Sequence, residues 1–497
     1  MNMFDSGAKP KIRTRTVAVP VKKTPASSAQ VKITAPAAAA PASRYTLTPS
    51  TKQRTTAQAR PARQTLAVSR VQQRKRKVTP TTPQFASSSD DDSSADEARS
   101  KRQKTSSVIE TPPPPPANKS LEPDLDRRIR IQGDGAASLK PKETAAKMIH
   151  GEKMTRGSWA KYFKPAFPGG DQNLVVELQY PSPSRPERFE AVVRKVEDNE
   201  EFSPLLEIYW NMEEMIQHYL PPDISASLAD ETNGAVRLLK RAVAKSSLED
   251  FKAALSDFNT AIKERLADGT IPATLDAMHA IPFALVKRIL LQVYQRTVSP
   301  HAHLLRRVKG KETTYGELLP PFTHTIFQQT GLKSSHVFVD LGSGVGNVVL
   351  QSALQTGAES WGIEVMDTPA LYANNQAEEL RARAKLWNIS LGPIHLLHGD
   401  FLKSDDIGPV LSRADVVLVN NKVFPQQLNG ALLDKFLDLK VGCKVVSLAS
   451  FGGGNKQGVR NEWSIANLFD EHRYDSGTSS VSWAGESVEY FIATKIR

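Results

Sequence analysis

The chain has 497 residues, with 65 Lys and Arg against 53 Asp and Glu, and a single cysteine. One cysteine excludes an intramolecular disulfide framework and a Cys-cluster zinc site. No stretch approaches the roughly 18–20 apolar residues of a membrane span, and the N-terminus lacks the apolar core of a secretory signal.

The net charge of +12 is unevenly spread. Residues 1–89 hold 17 Lys and Arg and one acidic residue, Asp5, for a charge of +16, which leaves −4 for the rest. Only three aromatic residues, Phe4, Tyr45 and Phe85, fall in residues 1–150. So few large apolar groups cannot offset the entropy of ordering, and residues 1–150 are expected to be a disordered basic arm. Arg74-Lys75-Arg76-Lys77 and Lys101-Arg102-Gln103-Lys104 flank an acidic, Ser-rich patch from Ser87 to Glu97. The two clusters read as a nuclear-import signal, or as a solvated basic tail. Residues 11–80 are basic and poor in acids, but their Pro and Thr content gives no sustained amphipathic helix of a mitochondrial presequence. Pro112–Pro116 is expected to be an extended spacer.

Order is expected to begin between residues 150 and 175, where Trp159, Tyr162, Phe163 and Phe167 cluster. Asn173–Tyr180 alternates as a strand does and ends at a Pro/Ser run. Leu205, Ile208, Met212, Met215 and Tyr219, then Phe251, Leu255, Phe258 and Ile262, recur at helical spacing, and another helix is expected from about Pro282 to Arg296. Residues 175–310 therefore read as a mostly helical lobe.

From residue 311 the pattern alternates. Strands are expected at His336–Val339, Trp361–Val365, Ile394–Leu397, Asp415–Val419 and Lys444–Leu448. Helices are expected at Asn347–Gln355, Pro369–Trp387 and Gln426–Leu437. Ser480–Trp483 and Tyr490–Lys495 read as an antiparallel closing pair. Alternating strand and helix gives an α/β fold, a parallel sheet covered by helices on both faces.

The strongest motif is Val337-Phe-Val-Asp-Leu-Gly-Ser-Gly-Val-Gly-Asn347. A buried strand ends at Asp340, glycines follow at 342, 344 and 346, and a helix begins. Glycines let the backbone turn tightly and approach a ligand. The spacing is G-x-G-x-G, not the G-x-G-x-x-G of a dinucleotide site, and suits a nucleoside cofactor without a pyrophosphate. An ordinary strand–helix turn has the same look. Asp340 could accept from the amino group of a methionine tail. Glu364 ends the second strand 24 residues on, where an acidic residue holds ribose hydroxyls in doubly wound folds. Asp400 and Phe401 follow the third strand and could bind and cover an adenine. Asn420 ends the fourth strand and could grip a nucleophilic nitrogen.

Together with Glu312-Thr-Thr-Tyr-Gly-Glu-Leu-Leu-Pro320, Leu291–Tyr294, Val481–Trp483 and Glu489–Phe491, these motifs resemble the disruptor-of-telomeric-silencing family of non-SET methyltransferases. Those enzymes act on lysine-79 of histone H3 in nucleosomes. The resemblance covers roughly residues 175–497, and the basic arm is similar to that of the fungal members. It implies a class I methyltransferase (Rossmann-like) fold with a seven-stranded sheet at 311–497, and S-adenosyl-L-methionine as cofactor without a metal. It implies that Tyr315, Gly316, Glu317 and Leu318 close over the cofactor. The cofactor loop would be Phe338, Val339, Asp340, Leu341, Gly342, Ser343, Gly344, Val345, Gly346 and Asn347, with Glu364, Asp400 and Phe401 completing the pocket. Asn420 would sit at the reacting amine, and Trp483 and Tyr490 would wall the lysine channel, although both also suit an edge-strand core. Roles in chromatin regulation, telomeric silencing and the DNA damage response are implied as well. Lys422 stands where the family commonly has an aromatic, and Leu448–Lys456 is glycine-rich and lacks a basic residue common in the family. Both departures bear on the lip of the substrate channel.

The expected chemistry is an in-line displacement that depends on positioning and desolvation, with no general base. The expected partner is the nucleosome, bound through the arm without sequence specificity, by a nuclear monomer with no membrane association. Two other readings fit the residues: a methyltransferase acting on RNA or a small molecule, and a non-catalytic chromatin-binding protein.

Overall fold

The computed structural model describes residues 120–132, 148–168, 174–195, 202–305, 316–451 and 465–497. The two basic clusters, the acidic patch and the proline run of the arm lie outside these residues, as does the Gly452–Gly454 run. The described chain nevertheless begins well before the expected boundary at 150. Arg127 is buried and donates to the carbonyls of Leu354 and Gln355. Ile129 is 1% exposed, and Arg130 forks onto Asp276 at 2.7 and 2.8 Å. Residues 120–132 thus strap the lobe to the sheet domain, and the arm is shorter than its composition suggests. Arg127 at a helix end, Ile129 in the core, Arg130 on Asp276 and Asp124 on Ser334 together fix the strap.

In the lobe, β1 (Phe163–Pro165) pairs antiparallel with β4 (Val192–Arg194), and β2 (Val175–Leu178) with β3 (Glu187–Glu190). Helices α1 (Pro204–Tyr219), α2 (Pro222–Leu228), α3 (Ala235–Ala244), α4 (Leu248–Ala267), α5 (Thr270–Asp276) and α6 (Phe283–Thr297) follow. Pro204 opens α1, where its missing N–H costs nothing. Ser247 caps α4 by accepting from the Asp250 N–H at 3.3 Å. The apolar stripes expected of α1 and α4 are buried along their full length.

The sheet domain runs α7 (Pro320–Thr330), β5 (Val337–Leu341), α8 (Asn347–Gln355), β6 (Glu359–Glu364), α9 (Asp367–Leu386), β7 (Ile394–His398), α10 (Ile407–Leu411), β8 (Val416–Val419), α11 (Gln426–Lys435), β9 (Lys444–Ser447), β10 (Phe469–Asp475) and β11 (Glu489–Lys495). Seven strands form one sheet in the order β10-β11-β9-β8-β5-β6-β7. Strands β5 to β9 are parallel, and β11 is antiparallel to both neighbours. Phe338 and Leu418 pack on one face with α7 and α8, while Val339, Leu341, Val417 and Val419 pack on the other with α10 and α11. Burial on both faces explains the apolar runs Val337–Val339 of β5 and Val416–Val419 of β8. Cys443 is fully buried on the second face, and burial pushes its thiol up to about 12.

One strand assignment needs correction. The first strand of the closing hairpin is β10, in register from Phe469↔Lys495 to Asp475↔Glu489, and not Ser480–Trp483. Asp470, Glu471, His472 and Arg473 hide its strand pattern, and charges of this kind suit a strand at the sheet edge. Ser480–Trp483 instead holds the segment ahead of α7. Leu318 bridges to Val481, and the Leu319 and Ser482 amides donate to Ser480 and Glu317 carbonyls, each at 2.9 Å.

A single apolar cluster spans the lobe and the sheet domain, from Phe251 through Val293 to Leu354, Leu380 and Trp387. Charges are buried within the same seam. Arg383 of α9 donates to both oxygens of Glu187 on β3, at 2.7 and 2.8 Å, and Arg296 of α6 donates to Glu187 and Glu207 at 2.9 and 2.6 Å.

Candidate active site

The chain leaves β5 to build β6 and β7 on one side, then returns to place β8 on the other. Carboxyl ends of strands at such a switch point form a crevice. A cavity of about 730 Å³ lies there, bounded by Asp340, Glu364, Asp400, Asn420 and Trp483, one residue or more from each successive loop.

The loop after β5 depends on its glycines. Gly342, Gly344 and Gly346 have φ of +88°, +55° and +81°, left-handed values that strain any residue with a Cβ. The Gly342 and Ser343 amides both donate to the Ile363 carbonyl, at 2.9 and 3.0 Å, which pins the loop to β6. Glu364 completes the fastening. Its two oxygens accept from the Gly344 and Met366 amides, each at 2.8 Å. Asp340 is 5% exposed, and burial together with the charge of Glu364 pushes its carboxyl up to about 8. Asp400 accepts from the Leu402 amide at 2.9 Å and pairs with Lys403 at 3.2 Å. Phe401 stacks with Phe424 at 6.3 Å between ring centres, forming one apolar side of the cavity.

Gly316, Glu317 and Leu318 line the opposite side, and Tyr315 lies outside the described residues. A Cβ on Gly316 would fall 2.4 Å from the Trp483 ring, so only glycine lets that indole lie flat on the segment. Glu317 accepts from the Tyr294 hydroxyl at 3.0 Å and from Asn347 at 3.1 Å. Asn347 in turn accepts from Gln376 of α9 at 2.9 Å.

Ser343, Val345 and Asn347 also line the cavity. Phe338, Val339 and Leu341 do not. They are fully buried core residues of β5 and support the loop from below. Gly346 caps α8. Tyr490 needs correction. It is fully buried between Phe322 and Tyr474, with its hydroxyl donating to Gln329 at 2.6 Å, and it does not border the cavity. The alternation of β11 turns it into the core.

Two contributors escaped sequence reasoning. Asn421, 1% exposed, donates to Asn429 and the Ala449 carbonyl, each at 3.0 Å, and accepts from the Leu448 and Ala449 amides at 3.0 and 2.8 Å. It ties the loop carrying Asn420 to the loop after β9. Nothing in a tandem Asn pair says which member turns inward. Gln376 was recoverable, since it interrupts the apolar stripe Ala373, Ala377 and Leu380 of α9 with a buried amide.

Solved structures similar to this chain include an RNA methyltransferase from Salinibacter ruber in complex with S-adenosyl-L-homocysteine (23% identity, 35% of this chain and 90% of that one, TM-score 0.25). Another is an O-methyltransferase from Bacillus cereus in complex with the same molecule (14% identity, 42% and 90%, TM-score 0.26). Residues 294–495 match the family described as "Histone methylation protein DOT1". The chain is 45% identical over 383 residues to the "Histone-lysine N-methyltransferase, H3 lysine-79 specific" of Emericella nidulans, covering 76% of this chain and 75% of the relative. It is also 45% identical over 379 residues to the protein of the same name in Aspergillus fumigatus, covering 76% and 74%. With this identity over three quarters of both sequences, the chain belongs to the DOT1 family of histone-methylation proteins.

Proposed function

We propose that this chain is the enzyme that transfers methyl groups from S-adenosyl-L-methionine to lysine-79 of histone H3 in nucleosomes, acting as a nuclear monomer. The single observation that carries this reading is the convergence of Asp340, Glu364, Asp400 and Asn420 on one cavity, in a chain so similar to enzymes bearing that name. The residues fit the donor. A buried carboxyl facing a second carboxylate calls for a cation, and the cavity volume is ordinary for a small-molecule site.

When bound, the sulfonium supplies the methyl group and is itself a good leaving group. Asp340 accepts from the ammonium of the methionine tail. Glu364, held by two amides, offers its remaining lone pairs to the ribose hydroxyls, and Asp400 and Phe401 receive the adenine. Asn420 orients the incoming amine through its carbonyl groups. Free lysine has a pKa near about 10.4, so the amine must lose its proton before reacting. Trp483 and Phe424 border that approach and exclude water, which disfavours the ammonium form and lowers its pKa. Positioning and desolvation then suffice without a general base. Incubating the full chain with nucleosomes and a methyl-labelled donor, then mapping the label by mass spectrometry, tests this reading. Label on H3 lysine-79 is expected, and label on RNA or on another histone residue overturns it.

The arm, lying outside the described residues, is proposed to hold nucleosomal DNA through counterion release. Deleting residues 1–110 should weaken nucleosome binding and flatten its salt dependence while cofactor affinity stays unchanged. Full nucleosome affinity in the deleted protein rejects this role.

A further inference from the structure

The cavity is lined by four carboxylates and a single cation. Glu317, Asp340, Glu364 and Asp400 border it, and Lys422 is the only Lys, Arg or His that does so among the described residues. The backbone beneath this lysine is firmly held. Asn421 makes four side-chain hydrogen bonds to neighbouring segments, and the Phe424 amide donates to the Asn421 carbonyl at 3.2 Å. That closes a tight turn with Lys422 and Val423 at its two corners, both exposed and both on the cavity. Lys422 follows Asn420 by two residues, so their Cα atoms lie within about 7.6 Å of each other. The charged groups around it are committed elsewhere. Glu317 accepts from Tyr294 and Asn347, Glu364 from two backbone amides, and Asp400 pairs with Lys403. Glu471 of β10 accepts from Ser450 and Phe451 in the loop after β9. His301, on the turn that brings Leu304 and Leu305 to the cavity, is stacked on Tyr372. The Asp340 carboxyl answers to burial and to Glu364, not to this lysine, so Lys422 stands clear of the methionine-tail end. Its ammonium makes no ion pair with any described residue.

We propose that Lys422 keeps the incoming substrate amine neutral by like-charge repulsion, so that its lone pair is free when it reaches the donor. The inference rests on the methyl-transfer reading and adds a second cause to the desolvation invoked there. A cation beside an ammonium favours loss of the proton, and reactive lysines are activated by a cationic neighbour in the same way. The amine gives its proton to water. Its lone pair then forms the N–C bond as the C–S bond breaks, and the positive charge passes from sulfur to nitrogen. In this role Lys422 takes no proton and acts only through its charge. Two unit charges on the order of 8 Å apart, at an effective dielectric between about 20 and 80, move the titration of the amine by roughly 0.4 to 1.5 pH units. Water excluded by Phe424 and Trp483 favours the upper figure.

The test is single-turnover methylation of nucleosomes by excess full chain, at saturating donor, from pH 6.5 to 9.5. With enzyme saturating, the acidic limb of the rate reports the amine within the complex. In Lys422→Gln that limb should move up by roughly 0.4 to 1.5 pH units, which below the limb is a roughly 3- to 30-fold slower transfer. In Lys422→Glu it should move about twice as far. Lys422→Arg should keep the wild-type limb, and thermal unfolding should be unchanged in all three. A wild-type limb in Lys422→Gln overturns the proposal. So does a rate lowered by the same factor on both sides of the limb, or a change confined to the enzyme concentration at half-maximal rate, since either makes Lys422 a substrate contact. An arginine variant displaced as far as the glutamine variant also overturns it. A wild-type chain that methylates no histone overturns the methyl-transfer reading itself, and this inference with it.

Discussion

Glu187 and Asp340 are both shut away from water, 0% and 5% exposed, yet the protein treats their carboxyls in opposite ways. Glu187 lies in the seam between lobe and sheet domain. Burial acts to raise it, but Arg383 and Arg296 overcome burial and hold it down at about 2, with the Tyr180 hydroxyl donating to it at 2.7 Å. Asp340 lies at the cavity, where burial and the charge of Glu364 act in the same direction and bring it up to about 8. In the seam the chain itself supplies the cations that meet Glu187. The cavity is complete only with a cation from outside. The pH dependence of stability follows with opposite signs. The stabilisation from Glu187 is fully present above its unfolded value of 4.5 and is lost as pH falls toward about 2. The penalty from Asp340 is absent below its unfolded value of 3.8 and grows as pH rises toward about 8.

The strongest way to break this comparison is Arg383→Met. It removes two bonds to Glu187, one to Glu379 and one to the Ile149 carbonyl, and leaves Glu187 with a single guanidinium. The expected loss is about 3–5 kcal/mol in urea unfolding of the full chain. A loss under about 1 kcal/mol would mean that desolvation already cancels the attraction within the seam. The next is Asp340→Asn, for which the two readouts should part. Stability should hold or rise, because a buried carboxyl with an unfavourable neighbour is gone. Cofactor affinity should fall by roughly 10- to 100-fold, the worth of a hydrogen bond to a charged group. A variant that loses stability and keeps its affinity would make Asp340 a structural residue like Glu187.

The sequence carries this contrast only halfway. Asp340, Glu364, Asp400 and Asn420 were legible as residues of one cavity because each lies at the carboxyl end of a strand or just beyond it, and a parallel sheet brings those ends to one edge. The glycines were legible because left-handed backbone selects for them. Glu187 gave no signal, as its arginine partners lie 109 and 196 residues away and no local spacing connects them. Tyr490 was misplaced for a related reason. An aromatic on an edge-type strand fits a channel wall or a core equally well, and only the register of β11 against β9 and β10 decides. The strap at 120–132 was hidden by averaging, because a composition typical of an arm surrounds its few anchoring residues.

A smaller effect sharpens the cavity side. At pH 6.5 the Asp340 carboxyl holds a proton, and accepting hydrogen bonds from an ammonium requires that proton to leave. Cofactor binding should therefore release close to one proton at pH 6.5 and almost none above about pH 9. Calorimetric titrations in two buffers of different ionisation enthalpy count the protons. Identical heats at pH 6.5 would show that Asp340 is already ionised, or that the ammonium lies elsewhere.

The smallest expected effect joins the two regions. Tyr294 belongs to the lobe helix α6, and its hydroxyl donates to Glu317, which also accepts from Asn347 of the cofactor loop. Lobe and cavity thus share one carboxylate. Tyr294→Phe removes the hydrogen bond to Glu317, worth about 1 kcal/mol, and leaves the ring packed against Val298, Val345 and Tyr372. Glu317 should then hold the cavity wall less tightly, so KM for the cofactor should rise about three- to tenfold with kcat nearly constant, the pattern of lost uniform binding. A fall in kcat at constant KM would place the lobe in the transfer step itself. The seam would then do more than hold two domains together.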